Sequence, residues 1–468
     1  MLDNMMNGMA ASGADEQVEA PPPIAEFEGY AECALFSEEV KITLAQDEMI
    51  VAALFDQLVL PYAEISSFAF ENYRTVINTA DGIVTFSRMG QEAEWLYDKL
   101  FGAYNDAVLG ALLVEGEHIF EATGDFIIEE GTVRAKEHGM IRLYDGCLCL
   151  LPPNENARRV PLCFMTGMEK SDYSRTLSLS TGERYTVTKM GRELDNLDRL
   201  LTARLRALRE QTLSWHKELA PNIAAMQAAA VAKLMPFGTA AMLSKLSAAS
   251  SALADSIEAK IKQSRMAGTY PWLKKLCRDD SLTLGAKPAP PKEDEEETAA
   301  AEQSETETGE TEQEPAPILW AAAPDADKRV AAVELALAEN EAAATYLYRI
   351  EGEWEVFARQ IDRGLEASGF KRELITLPEE KLRLPEHRAS AMLIKRTPAL
   401  QLMRSCFIGR AIHSSEQRWR NDIEKCRTLV SKESNTATNQ NEFRFCTNCG
   451  TKLKADAKFC GQCGSKQQ

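Results

Sequence analysis

Residues 27–212 carry one pattern twice, offset by about 100 positions, and this duplication limits the folds open to the chain. The aligned positions are Leu60-Pro61 with Val160-Pro161, Tyr73 with Tyr173, Gly82 with Gly182 and, after a one-residue insertion, Met89-Gly90 with Met190-Gly191, Glu92 with Glu193, Leu96 with Leu197 and Leu100 with Leu201. Each copy is about 90 residues long, which is the size of a small domain.

Both copies predict a β-hairpin followed by an amphipathic helix. In the first copy, Asp81-Gly82 joins two β-rich runs, a strong signal for a two-residue hairpin turn. The second copy alternates with period two through Leu177–Ser180 and turns at Thr181-Gly182. Its helix is indicated by one apolar stripe, formed by Leu194, Leu197, Leu201, Leu205 and Leu208.

This order of elements resembles the pleckstrin-homology-like (PH-like) or GRAM-like superfold. The resemblance covers residues 27–108 and 120–212, and includes Gly146-Cys147-Leu148-Cys149-Leu150-Leu151-Pro152 followed by Arg158-Arg159-Val160-Pro161-Leu162. It implies, in each copy, a bent antiparallel sheet that forms a partial barrel closed by the final helix. It also implies binding of a peptide or of a lipid headgroup.

Charge separates the two copies. The chain has a net charge of -18, which argues against a dedicated nucleic-acid binder. From Phe27 to Phe120 there are four basic and sixteen acidic side chains, so the first copy suits a basic protein partner. The second copy is nearly balanced and offers a candidate anion site: Arg134, Lys136, Arg142, Arg158 and Arg159.

The rest of the chain divides by composition into further segments. We predict disorder at 1–25, an Ala-rich helical segment at 213–277, an acidic disordered linker at 286–317, an α+β domain at 318–430, a flexible tether at 431–441 and a small metal domain at 442–468. The Ala-rich segment predicts two helices divided near Met235–Gly238. Within 318–430 we expect helices at Arg329–Glu339 and Trp354–Ala367, and strands at Thr345–Ile350, Leu374–Thr376 and Met392–Ile394. The predicted class is therefore α+β, multidomain.

The C-terminal segment contains two Cys-x-x-Cys pairs, and these predict a structural zinc site. Cys446 and Cys449 form the first pair, and Cys460 and Cys463 form the second. Zinc favours four tetrahedral ligands, and two residues between paired cysteines let one turn present both sulfurs. The pattern resembles the short zinc-ribbon domains attached to many bacterial and archaeal proteins. The resemblance implies one Zn²⁺ held by these four thiolates.

Other uses of four cysteines are weaker interpretations. A redox pair usually occurs once, beside a βαβ pattern, whereas this motif is doubled. An iron site also uses four cysteines and remains open at the level of sequence. A catalytic zinc keeps an open coordination position, and four thiolates leave none.

No catalytic residues are predicted, and we expect a non-enzymatic protein. The five histidines (His118, His138, His216, His387 and His413) are dispersed, and no phosphate-loop or nucleophile-elbow motif occurs. The N-terminus lacks a secretory pattern, and eleven cysteines without a disulfide framework favour the cytoplasm. The most apolar run, Ile223–Leu243, is interrupted by Lys233 and Pro236, so we expect no membrane-spanning helix.

We therefore expect a scaffold or adaptor that binds protein partners through the PH-like modules and the ribbon. Two alternatives remain. The first is a peripheral membrane protein using the second copy and the Ala-rich helices. The second is a nucleic-acid regulator acting through the ribbon, whose local charge from Asn441 onward is positive.

Overall fold

The first repeat folds into a seven-stranded antiparallel sheet followed by a helix. The computed structural model describes residues 22–277, 281–289, 316–336, 344–440, 443–445 and 452–454. The elements are β1 (Ala25–Glu32), β2 (Ser37–Leu44), β3 (Glu48–Ala52), β4 (Gln57–Pro61), β5 (Ile65–Glu71), β6 (Arg74–Thr79), β7 (Gly82–Ser87) and α1 (Glu92–Ala111). Their order in the sheet is β4-β3-β2-β1-β7-β6-β5.

The second repeat has the same topology. Its elements are β8 (Phe120–Glu130), β9 (Val133–Leu143), β10 (Cys147–Leu151), β11 (Arg158–Pro161), β12 (Met165–Lys170), β13 (Ser174–Leu179), β14 (Arg184–Thr188) and α2 (Glu193–Leu219). The sheet order is β11-β10-β9-β8-β14-β13-β12, which matches the first sheet strand for strand. Leu194, Leu197 and Leu201 of the predicted stripe are buried against this sheet.

A methionine packs over a strand glycine in both repeats. A Cβ on Gly29 would lie 2.6 Å from Cγ of Met89, and a Cβ on Gly124 would lie 2.7 Å from Cγ of Met190. Each methionine is followed by a glycine with positive φ, which a side chain would strain. The Met-Gly pair therefore turns the chain into the helix and covers the first strand of its sheet.

A third sheet has six antiparallel strands, and helices are interspersed with them along the chain. The elements are α3 (Ala225–Leu234), β15 (Ala240–Met242), α4 (Leu243–Ala249), α5 (Ser251–Gln263), α6 (Tyr270–Leu276), β16 (Thr283–Lys287), β17 (Ile318–Pro324), β18 (Val330–Ala336), β19 (Ala344–Arg349), α7 (Trp354–Ala367), α8 (Glu373–Thr376), α9 (Glu379–Leu382), α10 (Arg388–Arg396), α11 (Pro398–Cys406), β20 (Phe407–Ile412) and α12 (Glu416–Gln440). The strands are ordered β15 to β20 across the sheet.

Both faces of this sheet are covered. Alternate residues of β17, such as Ala321, belong to one apolar cluster with side chains of α2, α5, α6 and α12. On the other face, the Trp320 indole donates a hydrogen bond to Asp362 of α7 and packs against Phe370. The central strands are consequently buried along almost their whole length.

The chain divides into two compact units. One comprises Met1–Val108 with Pro153–Glu155, and the other comprises Leu109–Pro152 with Asn156–Gln468. The second repeat and the third sheet therefore lie in the same unit. The fold is mixed α+β, with several antiparallel sheets, as the sequence predicts.

Three predictions of local structure are wrong, and two are confirmed. One of the confirmed predictions is the strand expected at Thr345–Ile350, which is β19 (Ala344–Arg349). The segment Arg329–Glu339, predicted as a helix, contains strand β18, because a central position buried on both faces overrides the helical propensity of Ala and Leu. The apolar runs Leu374–Thr376 and Met392–Ile394 lie in α8 and α10 rather than in strands, since runs this short have no decisive period. The predicted helix Trp354–Ala367 is confirmed with the same bounds.

The division of residues 213–430 also differs from the prediction. The predicted pair of helices at 213–277 is instead the end of α2, four shorter helices and a strand, although a break does fall after Leu234. Strands β15 and β16 join the sheet of the predicted 318–430 domain, so the two segments share one core. Ala286 and Lys287, predicted as linker, lie in β16, and residues 290–315 are outside the described residues.

The C-terminal region contains one further difference. Residues 431–440, predicted as a flexible tether, continue α12. Extending an existing helix costs less than starting one, so Ser, Thr and Asn can be accommodated there. Beyond it, β21 (Phe443–Phe445) pairs with β22 (Lys452–Lys454). Residues 1–21 of the predicted N-terminal disordered segment are outside the described residues.

Replacing Gly285 with alanine should destabilise the third sheet. A Cβ at this position would lie 1.9 Å from Cε2 of Trp320, which is itself buried. Overpacking of this kind costs about 1–3 kcal/mol, so Gly285→Ala should lower the urea midpoint monitored by tryptophan fluorescence. Gly102→Ala is the matched control, because a Cβ there meets nothing within 4 Å. Equal midpoints for the two variants would contradict the packing.

Acid should destabilise the protein through His216. Burial lowers the pKa of this fully buried imidazole to about 4. Below about pH 6.5 the imidazole is protonated in the unfolded chain but stays neutral in the folded protein. The free energy of unfolding therefore falls between about pH 6.5 and pH 4. We expect a loss of about 2 kcal/mol between pH 7 and pH 5, measured by urea unfolding. His216→Leu should remove this part of the pH dependence, whereas His118→Gln, at a half-exposed site, should not.

Candidate metal centre and binding groove

Two short paired strands flank the segment that contains the first cysteine pair. Strands β21 and β22 pair from Phe443↔Lys454 to Phe445↔Lys452. The connection between Phe445 and Lys452 contains Cys446 and Cys449. The four predicted ligands, Cys446, Cys449, Cys460 and Cys463, lie outside the described residues.

The residues present fit a zinc ion in two respects. Paired strand ends on either side of a Cys-x-x-Cys sequence suit a zinc knuckle, in which one turn presents both sulfurs. Four cysteines in two such pairs supply a complete thiolate set, so the bound ion would be structural. Elsewhere, within the part of the chain that the structure describes, no group of three or more His, Cys, Asp or Glu side chains could hold a metal.

A groove lies on the first sheet. It has a volume of about 470 Å³, and strands β1, β2 and β3 line it with the β3–β4 turn. The Arg88 guanidinium stacks 3.9 Å from the centroid of the Tyr30 ring at one side. The Tyr30 hydroxyl donates a hydrogen bond to the carbonyl of Ser37, which fixes the ring.

The groove is lined by charged side chains of both signs and bordered by apolar ones. Its two cations already have contacts, because Lys41 pairs with Glu26 at 2.8 Å and Arg88 stacks on Tyr30. Glu28 and Glu39 line it, and neither carboxylate has an ion-pair partner among the described residues. Leu54 is 74% exposed and Phe55 is 89% exposed, both in the β3–β4 turn. Leu35, in the β1–β2 turn, is 64% exposed. Exposed apolar side chains beside unpaired carboxylates suit a cationic and partly apolar binding partner.

The predicted anion site of the second copy is not assembled. Four of its five cations are committed to carboxylates: Arg134 with Glu129 at 3.4 Å, Arg142 with Glu121 at 2.7 Å, Arg158 with Glu130 at 2.9 Å and Arg159 with Glu366 at 2.8 Å. Only Lys136 of the set has no such partner among the described residues. These side chains therefore do not converge on one anion.

Sequence reasoning missed Asp362, a buried acid on α7. Its Oδ2 accepts a hydrogen bond from the Ala240 amide at 2.8 Å, and its Oδ1 accepts one from the Trp320 indole at 3.1 Å. Burial raises the pKa of this carboxyl to about 7. A signal was present, because Asp362 directly follows Ile361 of the apolar stripe of its helix.

Comparison with known proteins identifies the C-terminal segment. A family model for a zinc-ribbon domain matches residues 445–467, which include all four cysteines. No curated protein sequence matches the chain. The chain thus ends in a zinc-ribbon domain, as its cysteine spacing predicts. None of the helices in the described ranges is long and apolar enough to cross a membrane.

Replacing one ligand should remove the metal. We expect about one zinc per chain, and Cys460→Ser should lose it, because a structural site contributes on the order of 10 kcal/mol or more only with its full thiolate set. Elemental analysis of the purified protein measures both zinc and iron. Cys33→Ser is the control, since Cys33 is a free thiol in the first sheet's unit. Full zinc content in Cys460→Ser would contradict the assignment.

Proposed function

We propose that this chain is a non-enzymatic scaffold or adaptor protein of the cytoplasm. Two PH-like modules, at 27–108 and 120–212, bind proteins, and the zinc ribbon provides a further docking element. The single observation that carries the proposal is the groove of the first module, where two unpaired carboxylates lie beside exposed apolar side chains. The seven free cysteines among the described residues agree with a reducing compartment.

The topology of both repeats supports the PH-like assignment. A PH-like module is a bent antiparallel sheet followed by one helix, and each repeat has seven antiparallel strands followed by α1 or α2. Identical strand order and the equivalent Met89 and Met190 support a duplication of one domain. Modules of one fold often differ in their ligands, so the sites are argued from their own residues.

The chemistry of the groove favours a basic segment of a partner protein. Sixteen acids against four bases from Phe27 to Phe120 attract cations and repel phosphate. Glu28 and Glu39 can each accept a charge-assisted hydrogen bond from lysine or arginine. Leu54 and Phe55 can bury apolar side chains that flank those cations.

The two alternatives have less support. For membrane binding through the second module, the arginines that would contact anionic lipid are already paired with carboxylates. For nucleic acid, the local positive charge of the ribbon is the supporting feature, against the net charge of -18 for the chain. Sedimentation with anionic vesicles and a gel shift with RNA and DNA, both on the full chain, test these alternatives directly.

Neutralising the groove should weaken binding of a basic peptide. The probe is a fluorescent peptide alternating arginine with leucine, and its anisotropy is measured with the full chain. The double variant Glu28→Gln/Glu39→Gln should bind about tenfold more weakly, because each partly exposed ion pair contributes about 0.2–1 kcal/mol. Phe55→Asp should weaken binding further by removing apolar contact area.

The control has the same change in charge at another place. Glu92→Gln/Glu94→Gln neutralises two acids at the start of α1, outside the groove. If this control weakens binding as much as the groove variant, the attraction is general and the groove is not the site. A peptide alternating glutamate with leucine should not bind, and binding of it would also contradict the proposal.

A further inference from the structure

A cavity of about 600 Å³ lies within the second unit, between the second repeat and the third sheet. Residues of six regions line it: the start of β12 with the residues just before it, Ser180, the end of α3 with Pro236, the β15–α4 segment, Thr283 of β16, and the N-terminal half of α7. Its volume is within the range of pockets that bind small molecules, about 300–1,000 Å³. Nothing in the proposed adaptor function uses this cavity.

The inner end of the cavity offers polar groups. Asp362, only 4% exposed, presents the carboxyl group that Ala240 and Trp320 hold in place. The Thr283 hydroxyl also lines the cavity, is buried, and has no hydrogen-bond partner among the described residues. A buried hydroxyl without a partner costs free energy, about 1–3 kcal/mol. A ligand that hydrogen-bonds to it would recover part of that cost.

The outer end of the cavity carries an excess of positive charge. Lys245 lies 2.6 Å from Glu355, and Arg359 pairs with the same carboxylate. Lys233 lines the cavity as well and has no ion-pair partner among the described residues. The lining therefore carries three cations against Glu355, which two of them contact, and the hydrogen bond from Lys245 keeps the pKa of Glu355 below its usual range.

Apolar side chains also line the cavity, and two of its carboxyl groups are well separated. Phe164, Met165, Leu234 and Met242 contribute to its walls. Glu355 and Asp362 are seven residues apart on α7, about 10 Å along the helix axis. The lining thus offers cationic, apolar and hydrogen-bonding groups within the length of a small molecule.

We propose that this cavity binds a small amphipathic organic anion. Its carboxylate or phosphate contacts Lys233, Lys245 and Arg359, its apolar body lies against Met165 and Met242, and a hydroxyl or carbonyl at its far end contacts Asp362 and Thr283. Because burial raises the pKa of the Asp362 carboxyl to about 7, both its ionised and its protonated forms are populated near pH 7. It can therefore accept a hydrogen bond from a hydroxyl or donate one to a carbonyl.

The occupant would contact both the second repeat and the third sheet. The same boundary already has a buried ion pair, since Arg159 of β11 lies 2.8 Å from Glu366 of α7. Arg363 donates to Glu366 at 2.9 Å and to the carbonyl of Arg159 at 2.9 Å. The boundary is therefore held without the ligand, and loss of the ligand should leave the fold intact.

Calorimetric titration of the full-length, zinc-loaded protein tests the proposal with four probes. The probes are 8-hydroxyoctanoate, 8-hydroxyoctyl phosphate, octanoate and 1,8-octanediol. We expect one or both hydroxylated anions to bind at least about tenfold more tightly than octanediol, which lacks the charge. The comparison with octanoate measures the contribution of the far hydroxyl, and the two anions distinguish carboxylate from phosphate.

Two variants connect binding to the cavity. Lys245→Gln/Arg359→Gln should lower the affinity for the anions about tenfold and leave that for octanediol unchanged. Met242→Trp should fill the cavity and abolish binding of all probes, with circular dichroism confirming that it folds. Lys217→Gln/Lys274→Gln is the charge-matched control, because neither lysine lines the cavity.

Three results would overturn the proposal. The first is no heat of binding from either hydroxylated anion at about 1 mM. The second is binding that Met242→Trp leaves unchanged. The third is an equal loss of affinity in the control variant. Binding of the basic peptide to the first module is measured on the same proteins, so failure here is separable from failure of the adaptor proposal.

Discussion

The pairing of β16 with β17 is the contact on which the second half of the protein depends. Lys287 lies opposite Ile318, so two residues separated by the acidic segment are neighbours in one sheet. This pairing places β15, β16 and the preceding helices in a single core with β17 to β20. Closing a long connection costs little more than closing a short one, about 0.6 kcal/mol for each doubling of length. An acidic insertion can therefore lie inside a domain without dividing it.

Buried charge joins the second repeat to that sheet. Arg159 and Arg363 both contact Glu366, and although burial alone would raise the pKa of this carboxyl, the two guanidinium groups hold it below its usual range. Such a group of charges is costly to break, because removing one member leaves another unpaired in the interior. This group of charges includes Arg159, which the sequence suggests for an anion site. Arg159 therefore acts in the fold through its pairing with Glu366.

The two repeats show how one topology can present different surfaces. Both have the same strand order and the same methionine over a strand glycine. The first repeat leaves Glu28 and Glu39 without ion-pair partners among the described residues, beside the exposed Phe55. In the second repeat Arg142, Arg158 and Arg159 each pair with a carboxylate. Side-chain identity and pairing, rather than backbone path, therefore distinguish the surfaces of the two repeats.

By itself, the sequence determined the features that local spacing controls. Two Cys-x-x-Cys pairs define a metal ribbon because their geometry is set within a few residues, and the stripe of α2 and the helix Trp354–Ala367 follow from a period of 3.6 residues. Tertiary structure alone decided that Arg329–Glu339 contains a strand and that β15 and β16 share a sheet with β17 to β20. It also brought Thr283 and Asp362 to one cavity. These outcomes depend on burial and on pairing between residues distant in sequence, which no local period encodes.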